Sequence, residues 1–123
     1  MGNLTKNFSR WEFKCKCGQC NLDIIDHEVL DVLQGICDHY SDELKSKVVC
    51  WITSGFRCKW WNGVEGGVFG SLHCSGRAVD FHIEGVSLME VYTLMVNFLA
   101  KSEWEIIINE LDNFIHLGRK FNA

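Results

Sequence analysis

Three residues with zinc-binding side chains punctuate the second half of this chain. His73 and Asp80 stand seven positions apart in Ser71-Leu-His73-Cys-Ser-Gly76-Arg-Ala78-Val-Asp80, and His116 comes later in Asn113-Phe-Ile-His116-Leu-Gly118. Two imidazoles and a carboxylate are a common zinc ligand set, and three protein ligands leave a fourth position for water, as in catalytic rather than structural sites. The chain therefore reads first as a small metallohydrolase. Gly76 and Ala78 carry little or no side chain, so the backbone there can approach a metal or a substrate closely. A hydrolase of this kind needs a group to take a proton from water and return it to the leaving amine. Glu110 and Asp112, just ahead of His116, are the candidates. Arg57, with its fixed charge and forked donors, suits a carboxylate or a developing oxyanion.

Cysteine is the second reactive type. There are seven: Cys15, Cys17, Cys20, Cys37, Cys50, Cys58 and Cys74. An odd number with no apolar leader at the N-terminus argues for reduced thiols made in the cytoplasm rather than for a secreted disulfide scaffold. Cys15-Lys-Cys17-Gly-Gln-Cys20 places three thiols close together, and a second, structural zinc there would need a fourth ligand such as His27 or Cys37. Cys58 and Cys74 flank the proposed site, but no nucleophile turn accompanies them, which argues against a thiol protease dyad with His73.

These residues must be positioned by a small set of elements. Ser9-Arg-Trp-Glu12 fits an N-cap with an acid at the third helical position. Val29, Leu30, Leu33, Ile36, Cys37 and Tyr40 recur at helical spacing and predict a helix over 26–40, with a polar connection over 41–47. Val48–Thr53 is a compact β-branched run and reads as a buried strand. Residues 55–70 are glycine-rich and predict a long irregular loop, a kind usually functional. A strand is expected over 77–83. Ser87 caps a second helix to about Ala100, with Leu88, Val91, Tyr92, Met95, Phe98 and Leu99 on its apolar face. Residues 104–109 and 114–117 form a hairpin turning at Glu110–Asn113. Side chains two apart on a strand share a face, so His82 accompanies Asp80 and could orient the site. The ligands converge only if their strands pair. Trp60 and Trp61 form either an aromatic lip or a cover for the core.

Composition bounds the reading. The chain has 123 residues, 47% hydrophobic and 23% charged. That predicts one globular domain over residues 1–123, with α+β architecture: a small antiparallel sheet packed with two main helices. A net charge of -4 offers no basic footprint for nucleic acid. No apolar run approaches the roughly 20 residues of a membrane span.

The motifs together resemble the D-alanyl-D-alanine metallopeptidases, a family of cell-wall carboxypeptidases and phage endolysins whose fold is shared with the hedgehog signalling domain. The likeness runs almost end to end. Phe8-Ser-x-x-Glu12-Phe13 with the cysteine cluster is similar to the family's opening, and Ser54-Gly55-Phe56-Arg57 to its Ser-Gly-Tyr-Arg motif. Asn62-Gly-Val64-Glu-Gly66-Gly67 resembles its Asn-x-x-Val-Gly-Gly loop with one extra residue. Ser71-x-His73-x-x-Gly76-x-Ala78-x-Asp80 resembles its zinc motif, and Ile107–Glu110 with Phe114-Ile-His116 its closing hairpin. The resemblance implies a hedgehog/DD-peptidase-like fold and zinc on His73, Asp80 and His116. It also implies substrate contacts from Arg57, Ser71 and Ser54. Many relatives carry the acid three residues before the last histidine, where this chain has Asn113. Hedgehog-like members carry a glutamate six before it, which is Glu110 here, so Glu110 is the expected catalytic acid/base and Asp112 the alternative. The implied activity is hydrolysis of peptidoglycan stem peptides by a monomer of the phage endolysin kind, reaching the wall by holin-type release. The rivals are a non-catalytic zinc-binding module and a cell-wall-binding protein of the same fold.

Overall fold

The apolar stripe of the first long helix decides which face of the sheet becomes the core. The computed structural model describes residues 2–121; Met1 and residues 122–123, the ends of the expected 1–123 domain, lie outside the described residues. Helix α1 spans His27–Leu44, and its buried residues are the six apolar positions read from the sequence. A short helix α2 spans Lys59–Val64, and α3 spans Leu88–Phe98 with Val91 and Met95 fully inside. Strands β1 (Cys50–Ser54), β2 (Ala78–Ile83), β3 (Trp104–Asn109) and β4 (Phe114–Arg119) form one antiparallel sheet in the order β1-β2-β4-β3. This is the α+β class expected.

Strand alternation then sorts the two faces. Val79, Phe81 and Ile83 of β2 and Ile115 and Leu117 of β4 join the helix residues in one core, with Ile52, Ile106 and Ile108 packed at its margin. The intervening residues Asp80 and His116 therefore face the opposite side. Helix α3 lies mainly against β3, and α1 against β4. Phe98 departs from its expected core role: it ends α3 and is 79% exposed.

Other boundaries shift for local reasons. Helix α1 runs past Tyr40 to Leu44 and stops where Lys45 adopts a left-handed conformation at φ 55°, its amide donating to Ser41. Glycine is the usual residue at such a stop; with a lysine there, the sequence gives no sign that the helix continues to Leu44. The 55–70 stretch is less irregular than expected. Cys58 caps α2, its sulfur accepting from the Trp61 amide, and a 3-10 turn at Leu72–Ser75 is capped by Ser71. A cysteine cap is outside the usual Ser/Thr/Asp/Asn set, and α2 contains Gly63, so propensity does not mark this helix. The turn at Arg10–Phe13 forms as expected, with Glu12 accepting from the Ser9 amide at 2.7 Å.

One polar anchor ties the helical layer to the strand carrying His116. Asp26 caps α1 through Val29 at 3.2 Å and accepts both Nε and a terminal nitrogen of Arg119, each at 2.7 Å. Arg119 lowers the Asp26 pKa more than burial raises it. Asp26→Ala removes both the cap and a bidentate pair, and we expect a loss of about 2 kcal/mol in denaturant unfolding. Because the native pKa is lowered, the charge contribution is complete above about pH 4, the ordinary carboxylate range, and fades as pH falls through the depressed native value. Unfolding curves of wild type and Asp26→Ala should therefore converge in acid.

Candidate metal centre

The site is assembled by register. In β2–β4 pairing Asp80 stands opposite His116, and in β3–β4 pairing Ile107 stands opposite His116. On the other side of Asp80, a bulge in β1 between Ile52 and Ser54 brings Ser54 opposite Asp80. A bulge adds one residue to a strand and re-aims the residues after it, and here it delivers the Ser54–Arg57 segment to the outer face. His73 arrives from the 3-10 turn. Gly76 ends that turn at φ 72°, where a side chain would also strike the backbone of Ile24, its Cβ 2.7 Å from the carbonyl oxygen.

Asp80 is the centre of the arrangement. Its Oδ1 lies 3.2 Å from His73 Nε2 and 2.9 Å from His116 Nδ1, and its Oδ2 accepts from Arg57 at 3.3 Å. Both Asp80 and His73 are buried. Burial pushes the Asp80 carboxyl up, but its bonds and charge interactions with the two histidines outweigh this and hold it at about 2. His116 is pulled down by burial and up, more strongly, by Asp80 and Glu105, so its pKa is raised.

The outer partners of the two imidazoles show what the site is built to hold. His73 Nδ1 lies 2.8 Å from the carbonyl oxygen of Gly55, which can only accept, so Nδ1 donates, and in the neutral ring Nε2 keeps the lone pair that faces Asp80. His116 Nε2 lies 2.6 Å from Glu105 Oε1, so Nε2 donates there, and in the neutral ring Nδ1 keeps the lone pair that faces the same Asp80 oxygen. When both rings are neutral, two lone pairs and an anion aim at one point, a set satisfied only by protons or a metal cation placed between them. The three ligand atoms lie within 4.8 Å of one another. Orientation of a ligating histidine by a carboxylate or carbonyl on its far nitrogen is the usual support of a zinc site. The donor set thus fits zinc.

Arg57 is held by its own motif. Its Nε donates to Ser54 Oγ at 3.0 Å, and its terminal nitrogens to Asn62 Oδ1 and Asp80 Oδ2, each at 3.3 Å. A guanidinium has more N–H donors than these three partners use. Asn62 is buried and closes the loop beyond α2 through Val68 at 2.9 Å. Ser71 Oγ accepts the His73 amide at 3.2 Å. A cleft of about 470 Å³ opens over the site, walled by Arg57, Ser71, Val68, Ile107 and Phe114 among others.

The remaining expected residues lie elsewhere. Glu110 is exposed in the hairpin turn, directly after Asn109, which lines the cleft; Asp112 is tied into the same turn by Asn109 through its amide at 2.9 Å and its carboxylate at 3.4 Å. His82 shares the outer face, but it makes no bond to the site and its Nδ1 is buried without a partner among the described residues. Trp60 and Trp61 pack together on α2, outside the cleft walls, and Trp60 is exposed. Cys74 is no activated nucleophile: burial raises its thiol, and both ring nitrogens of His73 are already engaged. Glu105 is a site residue that the motifs do not contain. The expected turn at 110–113 already pairs 107 with 116, and period-two alternation then sets 105 on the face of His116, so a signal for it exists in the sequence.

Sheet, cleft and donor set together make a site with three ligands for a metal ion. A family model described as Peptidase M15 matches residues 6–118, and the chain belongs to this family of D-Ala-D-Ala metallopeptidases. Comparison with curated proteins and with solved structures gave no match.

Two measurements check the centre. Both imidazoles must be neutral to bind, while Asp80 stays ionised throughout. Zinc affinity should therefore fall on acidification, starting above the ordinary histidine pKa because His116 is raised. Competition with a chromophoric chelator across pH reads this directly. Glu105→Ala should weaken zinc about 10- to 100-fold in the same assay.

Proposed function

We propose that this protein is a zinc-dependent peptidase that hydrolyses peptidoglycan stem peptides, as a D-Ala carboxypeptidase or an endopeptidase. The observation that carries the reading is the convergence of His73, Asp80 and His116 lone pairs at the floor of an open cleft. Zinc held there supplies Lewis acidity toward a peptide carbonyl and toward water. The chain's own groups do the rest. Arg57 uses its remaining donors to hold a substrate carboxylate or the charge that develops on the carbonyl oxygen. Its neighbours Ser54 and Asn62 fix its angle, so that little motion is needed when charge appears. Ser71 lines the cleft with its oxygen on the His73 amide. Val68, Ile107 and Phe114 give an apolar wall suited to small side chains such as the methyls of alanine.

Glu110 is our candidate for proton transfer, with Asp112 the alternative. It stands in the exposed turn directly after Asn109, which lines the cleft. Glu105, bonded to the far nitrogen of His116, acts instead as a positioning residue. Among the described residues no helix is long and apolar enough to cross a membrane. We place the enzyme with the phage endolysin type, acting as a monomer on the wall after holin-type release, a placement supported by the family resemblance alone.

Mass analysis of peptidoglycan digests tests the assignment. Glu110→Gln should lower kcat about 100-fold or more while retaining zinc. Unchanged peptide release by Glu110→Gln, with loss in Asp112→Asn, moves the role to Asp112. Wild-type protein that holds zinc but releases no peptide overturns the enzymatic reading in favour of a binding module.

A further inference from the structure

The second metal-ligand cluster lies on the other side of Arg57. The sulfurs of Cys15, Cys17, Cys20 and Cys58 all lie within 4.8 Å of one another. The first three come from the loop after the Arg10–Phe13 turn, and the fourth from the residue next after Arg57. This corrects the expected fourth ligand. His27 is exposed and sits 3.3 Å from Asp31, and Cys37 is buried in the core beneath α1.

A tetrahedral zinc with Zn–S of about 2.3 Å needs sulfurs roughly 3.8 Å apart, inside the bound these four satisfy. Cys17 and Cys20 are 3.4 Å apart, well beyond the roughly 2.05 Å of a disulfide. A second observation points the same way. Cys17 Sγ accepts the amides of Gln19 and Cys20, each at 3.3 Å, Cys15 Sγ accepts the amide of Cys58 at 3.3 Å, and Cys58 Sγ that of Trp61 at 3.5 Å. Three of the four sulfurs thus receive backbone N–H groups, which stabilise thiolates and are wasted on neutral thiols, weak acceptors at best. Gly18, at φ 76°, makes the tight Cys17–Cys20 turn feasible. Cys15 is buried and the others are half-buried, so an ion can enter from solvent.

We infer that Cys15, Cys17, Cys20 and Cys58 form a tetrathiolate site for a structural zinc ion that clamps the N-terminal segment to the loop carrying Arg57. The clamp continues a contact the backbone already makes. The Phe56 amide donates to the Phe13 carbonyl at 2.9 Å, and a Cβ on Gly55 would lie 2.6 Å from the Phe13 backbone. Gly55 supplies the carbonyl that orients His73, and Arg57 reaches Asp80. The tetrathiolate therefore braces two neighbours of the His/Asp/His centre without touching the cleft. It would do so whether or not the protein is a peptidase.

Metal analysis of protein purified under reducing conditions tests it. Wild type should carry about two zinc ions per chain and the His73→Ala/His116→Ala variant about one. Cys17→Ser/Cys20→Ser should lose one equivalent while keeping the histidine site. Cobalt-substituted His73→Ala/His116→Ala should show thiolate-to-cobalt charge transfer, and its chelation should lower Tm by about 10 °C or more. The cobalt spectrum keeps the test decisive if the cysteine variant fails to fold. About one zinc in wild type and none in the histidine variant, absent charge transfer, or a Cys17–Cys20 disulfide found by mass under reducing conditions would each overturn the site.

Discussion

A single buried carboxylate governs this molecule. Asp80 is ionised in a place where ionisation is costly, and a charge so placed persists only when surrounding groups complete its shell. The Arg57 guanidinium faces it directly, and two imidazoles converge on the point where a cation would complete the shell. Each comes from a different part of the chain, and each is itself held from behind: His73 by the Gly55 carbonyl, His116 by Glu105, and Arg57 by Ser54 and Asn62. The outer contacts matter as much as the inner ones, because they decide which ring nitrogen bears the proton and so which points a lone pair inward.

The fold supports this by separating its two faces. The core face of the sheet is sealed by α1 and α3 with aliphatic and aromatic residues, and the other face is left to polar chemistry under the 55–76 segment. Strand alternation alone yields that division, so Phe81 and Asp80 can be neighbours in sequence and opposites in environment. The β1 bulge is the single irregularity needed to bring Arg57 from the sheet edge toward the middle.

Much of this is legible in the residues themselves. The α1 stripe, the closing hairpin and the three ligands come from periodicity and residue chemistry, since each is a local or strongly typed signal. The features that resist such reading are non-local or unusually made. Cys58 joins a cluster whose Cys15 lies 43 residues away, and no spacing rule links a cysteine after an Arg to a cluster near the start. Helix α2 has a cysteine cap and an internal glycine, both contrary to propensity. Ser54 depends on a bulge, which alternation cannot foresee. Phe98 has the right phase for the core but ends its helix, where little remains to cover it. Glu105 is within reach of register arithmetic, but a glutamate alone on a strand belongs to no motif and is ordinary on a half-exposed surface.

The placement of the ligand strands has a kinetic consequence. His73 and Asp80 are close along the chain, but His116 meets Asp80 across 36 residues, and only once β4 has paired with β2. Such a distant pairing pays its loop-closure entropy before any contact repays it. Strong capture of an ion at the three-ligand centre accordingly waits for the β2–β4 ladder to zip, making it a reporter of that long-range pairing rather than a seed for it.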